Sequence, residues 1–133
     1  LNITGGSIGR CCVSNINEEM NVNQHVSIIR TKKQNLNPYF LNYQLKSDLG
    51  FTQVDYFQTG GNREGLTIDN IKNFIVPFPR IKEQQEIVDY LDIHTKEINE
   101  LISLEQKKIE TLKEYRQALI SEVVAGKIKI VKD

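Results

Sequence analysis

The residues best equipped to read or hold a polyanion lie in three short stretches. They are Arg10 at the end of "TGGSIGR", Arg30, Lys32 and Lys33 in "RTKK", and Gln58, Asn62 and Arg63 in "QTGGNREG". Arginine presents paired donors that match a guanine edge, and Asn or Gln presents the donor–acceptor pair that matches adenine. Lysine, arginine and backbone N–H groups in loops suit phosphate oxygens. Taken singly, each of these residues is at least as well explained as an ordinary turn residue or part of a solvated charge cluster. Gly60, Gly61 and Gly65 fit turn geometry better than a phosphate cradle, because no helix of the phosphate-loop type follows them.

Other chemistries find little to build on. His25 and His94 stand alone, whereas a metal site needs three or four ligands at sensible spacing. They read as structural or surface histidines, and no metal is expected. Cys11 and Cys12 are adjacent, and the chain has no other cysteine. A disulfide framework is therefore excluded, and a reducing cytoplasm is the expected setting. Nothing nearby would depress either thiol. Carboxylates are few and scattered in residues 1–79, so no nuclease or methyltransferase site is visible and an enzyme is the weakest reading.

Charge narrows the field further. The chain of 133 residues has 17 basic and 17 acidic side chains. Residues 1–79 hold 7 basic against 6 acidic, and residues 80–133 hold 10 against 11. Neither part announces nucleic-acid binding by charge alone, so any DNA contact rests on local placement or on a partner's positive field. No apolar run is long enough for a membrane span, and no signal peptide is visible.

The elements that must position these residues follow two grammars, and the expected class is α+β. In "MNVNQHVSI", Met20, Val22, Gln24, Val26 and Ile28 alternate with the period of a half-buried strand. "RCCVSN" and "FIVPF" are also strand-like. Asn37-Pro38 reads as an N-cap and first position of a helix through "YFLNYQLKSDL", with Phe40, Leu41, Leu45 and Leu49 inward and a stop at Gly50. Thr67 reads as the cap of a short turn, "IDNIKNF". The chain opens at Leu1 inside the strand-like "LNIT", as expected of a piece of something longer or of a fold trimmed at its front.

After "VPFPR" the grammar changes. Residues 80–125 contain neither proline nor glycine. Val88, Leu91, Thr95, Ile98, Ile102, Glu105, Ile109, Leu112, Arg116, Leu119 and Val123 recur at alternating steps of three and four, the seam of a coiled coil. Ile87, Leu101 and Tyr115 broaden it. Gly126 reads as the stop, and a continuous helix would span roughly 65 Å. A break at "DIHT" is an alternative, with Thr95 capping a second helix. Such a stripe needs a partner helix, parallel or antiparallel. Polar Glu105 and Arg116 select a register, with the Glu105 of one helix approaching the Arg116 of the other in an antiparallel pair. Pro77 and Pro79 stop the preceding strand and set the angle of exit.

These ordered features resemble one family, the specificity subunits of type I restriction–modification systems, over almost the whole chain. The matching elements are Pro77 and Pro79, then Glu83-Gln84, then a long helix running through Leu119-Ile120-Ser121-Glu122 to Gly126-Lys127-Ile128. "GGSIGR", "NQHVSIIR", "NPYFLNYQLKS" and "REGLTIDNIKNFIVPFP" fit upstream in the expected order. The resemblance implies a non-catalytic subunit in which two recognition domains each read one part of a split double-stranded DNA sequence. Two antiparallel helices hold them apart, measure the gap and dock methyltransferase subunits, joined in some systems by a restriction subunit. S-adenosylmethionine belongs to the modification subunit, so no cofactor is expected here. Arg80 departs from the pattern, standing where a further proline is common. A larger departure is that a single recognition domain is present, without its first portion. A homodimer through the long helix would restore the paired plan and read a symmetric split site.

The expected organisation is a partial target-recognition domain over 1–79, a spacer and dimerisation helix over 80–126, and a tail over 127–133. The pairing seam is carried by Leu91, Ile98, Ile102, Ile109, Leu112, Leu119 and Val123. The alternative is a structural or adaptor protein whose coiled coil binds another helix and whose small domain binds no DNA.

Overall fold

In the computed structural model, which describes residues 1–58, 65–128 and 130, the first helix starts where the chemistry of Asn37 and Pro38 requires. The Asn37 side-chain oxygen accepts from the N–H groups of Tyr39 (2.8 Å) and Phe40 (3.4 Å). Proline at the next position forfeits no donor the helix would have used. This helix, α1, spans Pro38–Lys46 and buries Phe40, Leu41 and Leu45.

Ser47 then turns the chain. Its hydroxyl donates to the Gln44 carbonyl (2.7 Å) and accepts from the Gly50 N–H (3.4 Å). A second helix, α2, follows at once over Asp48–Gln58 and packs on α1. One helix stopping at Gly50 with Leu49 inward is therefore corrected to two helices, with Leu49 exposed and Gly50 buried inside the second. A β-carbon on Gly50 would stand 2.3 Å from the Leu45 carbonyl oxygen and 2.6 Å from that of Gln44. The glycine is a point of close approach, not a terminator. Val54 of α2 joins the core with Leu66, and its methyls lie against Gly9, where φ is +80°.

The expected strands do not form among the described residues, which are mostly helical. Only two isolated antiparallel bridges occur, Asn2 with Val26 and Thr4 with Gly65. They tie "LNIT" to two distant segments: the Ile3 N–H donates to the His25 carbonyl (2.9 Å), and the Leu66 N–H donates to the Ile3 carbonyl (2.7 Å). The alternation from Met20 to Ile28 is broken by Asn23. Its side chain accepts from the His25 N–H (3.0 Å), its carbonyl accepts from the Val26 N–H (3.2 Å), and the resulting turn replaces a strand. Met20, Val22 and Ile28 are consequently exposed. "RCCVSN" is likewise irregular.

The short helix α3, Ile68–Lys72, is closed by a reciprocal capping box. Thr67 accepts from the Asn70 N–H (3.1 Å), while the Asn70 side chain accepts from the Thr67 N–H (2.8 Å). The extended stretch that follows forms no ladder, because Pro77 and Pro79 lack the donors a strand would need. Side-chain amides hold it instead. Gln53 exchanges two hydrogen bonds with the backbone of Ile75, Gln44 donates to the Pro77 carbonyl (3.2 Å) and Gln84 donates to the Pro79 carbonyl (2.8 Å).

The last helix, α4, runs over Ile81–Val124 for 44 residues without the break considered at "DIHT". Thr95 caps nothing: its hydroxyl bonds back to the Leu91 carbonyl within the helix. Gln84 and Val88, one turn apart, are its buried residues. Its end is a left-handed glycine cap. Gly126 has φ +71°, the Gly126 N–H donates to the Val123 carbonyl (3.1 Å), and the Lys127 N–H donates to the Glu122 carbonyl (2.9 Å). The chain forms two compact units, residues 1–90 and the residues from 91 onward. Among the described residues no helix is long and apolar enough to cross a membrane.

Candidate nucleic-acid interface

Arg10 is presented by a tightly pinned turn. A single 3₁₀ turn over Gly5–Ser7 leads into Gly9, which is buried, and Arg10, which is exposed. The Arg10 carbonyl accepts from the Asn2 N–H (2.8 Å) and the Gly9 N–H donates to the Asn2 carbonyl (3.0 Å). The Asn2 side chain donates to the Ser7 hydroxyl (3.0 Å). These bonds fix the backbone beneath an exposed Arg10 side chain, and readout of a base edge requires such a held base.

Lys32 and Lys33 sit on a second turn. The Lys32 carbonyl accepts from the N–H groups of Asn35 (2.8 Å) and Leu36 (3.0 Å), and both lysine side chains are exposed. Arg30 is exposed as well, at the edge of an open cleft formed with Ser14, Ile16, Met20 and Val22. Glu18 and Glu19 line the same cleft. A lining with two carboxylates and one guanidinium makes the cleft a poor seat for phosphate. Gln58 closes α2 and is half-buried, and Asn62 and Arg63 lie outside the described residues. The described basic candidates Arg10, Arg30, Lys32 and Lys33 thus occupy loop segments instead of one continuous helical face.

Cys11 is half-buried, its thiol facing the Asn42 carbonyl (3.8 Å), and burial pushes its pKa up against the opposing pull of Lys46. It has the character of an inert packing residue. His25 hydrogen-bonds the Thr4 hydroxyl, and His94 lies 3.1 Å from Glu97 on the same helix. Among the described residues, no group of three or more potential ligands gathers for a metal.

The seam residues divide by position. Val88 is buried, and Leu91, Thr95 and Val123 are half-buried. Ile98, Ile102, Ile109, Leu112 and Leu119 are exposed, Ile109 by 50% and Leu112 by 58%. Glu105 pairs with Lys108 within its own helix (3.5 Å). Further exposed ion pairs, Lys96 with Glu100 and Glu110 with Lys113, decorate α4 and contribute a few tenths of a kcal/mol each.

Sequence reasoning missed the polar residues that organise this unit, above all Gln84. It is fully buried, accepts from the Asn37 N–H (2.8 Å) and donates to the carbonyls of Asn35 (2.9 Å) and Pro79. Gln85 adds a bond from the Asn37 side-chain amide (2.8 Å). A signal was present: Gln84 stands one helical turn before Val88 and therefore shares its inward face.

The family model described as "Type I restriction modification DNA specificity domain" matches residues 1–114. The chain belongs to that family. Specificity-domain proteins are non-catalytic components of restriction–modification systems. The type I restriction enzyme MjaVIII specificity subunit of Methanocaldococcus jannaschii is 23% identical over 128 residues, which cover 96% of this chain. The aligned part spans 29% of that relative. No solved structure matches the chain at a significant level.

Proposed function

We propose that this specificity-domain chain recognises one part of a bipartite double-stranded DNA target and docks methyltransferase subunits through α4. In this reading residues 1–79 belong to the recognition domain, 80–126 form the spacer and 127–133 a tail. Two copies pair along Leu91, Ile98, Ile102, Ile109, Leu112, Leu119 and Val123 to form a homodimer. The observation that carries the reading is the family match itself, which takes in residues 1–90 and continues along α4 to Glu114. The exposed apolar row on α4 supports a helical partner, because a long helix with an uncovered stripe gains most of its stability from packing. Arg10, Arg30, Lys32, Lys33 and Gln58 are the described candidates for DNA contact, and Asn62 and Arg63 are candidates outside the described residues.

The test is a gel shift of duplex DNA with the chain and its methyltransferase subunits across a salt series. Sequence-selective retention that weakens with salt supports the reading. Retention that ignores sequence, or none, favours the adaptor alternative, in which the exposed row of α4 binds another helix without DNA recognition.

A further inference from the structure

We propose that Gln44, Gln53 and Gln84 form an amide clamp on residues 75, 77 and 79, and that this clamp sets how sharply the protein discriminates the gap in a split DNA target. The inference rests on the bipartite reading above and adds positioning residues to it.

The geometry is specific. In an extended chain alternate carbonyls share a side, and the carbonyls of Ile75, Pro77 and Pro79 each receive the side-chain amide of a different glutamine. Gln53 also accepts from the Ile75 N–H, so that residue is held at both polar groups. The donors come from α2, α1 and the first turn of α4, all within residues 1–90. The prolines restrict φ at their own positions and keep Val76 and Phe78 extended. Few backbone torsions remain free, and the glutamines restrain those. These bonds restrain the segment that leads into the first turn of α4.

A ruler is only as good as its mounting. A rotation of about 5° at the base of a helix about 66 Å long displaces the far end by about 6 Å. That is nearly two base-pair steps of ~3.4 Å. Small slack at residues 75–79 is therefore enough to blur a gap of defined length, whereas the contacts to bases are untouched by it.

The test uses the native chain with its methyltransferase subunits and duplexes selected from a random pool, then rebuilt with the gap changed by one base pair. The native chain is expected to lose about tenfold or more in affinity per changed base pair. The Gln44→Leu/Gln53→Leu double variant is expected to lose less than about threefold while binding the optimal gap nearly as well. Gln53→Glu, which keeps the acceptor for Ile75 and loses the donor, should fall between. Undiminished gap discrimination in both variants overturns the clamp alone. Unfolding of both variants assigns the glutamines to stability and overturns it too. Failure of the native chain to select any split target removes the bipartite reading and this inference with it.

Discussion

The backbone N–H of Asn37 donates to the side-chain oxygen of Gln84 at 2.8 Å, across 47 residues of chain. Asn37 is also the N-cap of α1, so one residue both starts that helix and receives the first turn of α4. Gln84 is the only fully buried large side chain among the described residues, and its amide oxygen and nitrogen are both satisfied.

Replacing it tests that pin. Gln84→Leu keeps the volume and orphans one N–H and two carbonyls, and buried orphans of this kind cost about 1–3 kcal/mol each before water relieves them. A loss of about 2–4 kcal/mol is expected, read as a lower urea midpoint at unchanged slope. A midpoint equal to the native one would show that the buried amide contributes nothing.

Two glycines should respond differently to alanine. Gly50→Ala drives a methyl into the Leu45 carbonyl and should cost at least about 2 kcal/mol, the scale of overpacking. Gly126→Ala meets open space and suffers only from its positive φ, so about 1 kcal/mol is expected. Thermal unfolding followed by circular dichroism ranks the two.

The pairing proposal has a direct probe. Ile109→Asp puts a charge in the middle of the exposed row, and the expected result is a monomer with reduced helicity, by sedimentation and circular dichroism. An unchanged dimer would remove this seam as the pairing surface.

The cysteines should differ in reactivity. Burial raises the Cys11 pKa, so at any given pH less of it is thiolate, whereas Cys12 is exposed. Brief iodoacetamide treatment near pH 8 should label Cys12 first, as peptide mass spectrometry would report. The lag of Cys11 should shrink as the pH rises.

For DNA contact, Arg10→Ala should weaken binding. If Arg10 meets a phosphate, the slope of affinity against salt falls by about 0.9 with little change in selectivity. If it meets a base, selectivity relaxes at one position.

Helical features were legible where local chemistry decides them. Asn37-Pro38 and Thr67 cap as read, Gly126 stops α4, and the mostly apolar seam from Val88 onward pointed to one long helix, with the alternative break at "DIHT" not taken up. The strands were misread because alternation from Met20 to Ile28 says nothing of a pairing partner, and Asn23 offered the backbone a local turn instead. Gly50 was misread because a helix stop and a close approach call for the same residue. At the candidate interface, loop placement of Arg10 and Lys32 was visible in the glycines and basic runs. The anchoring by Asn2 arises within one irregular loop that no period describes, and most of the glutamine contacts join residues far apart in sequence, which no spacing rule reports.

The proline linker has one more effect. Ile75 and Phe78 are exposed by 73% and 59% in an extended segment, the profile of an edge on which foreign chains aggregate. Here two positions have no N–H to offer and three carbonyls are already occupied by amides. On the edge that presents residues 75, 77 and 79, an intruding polypeptide finds no ladder to extend, so that side of the greasy ribbon offers no template for fibrils.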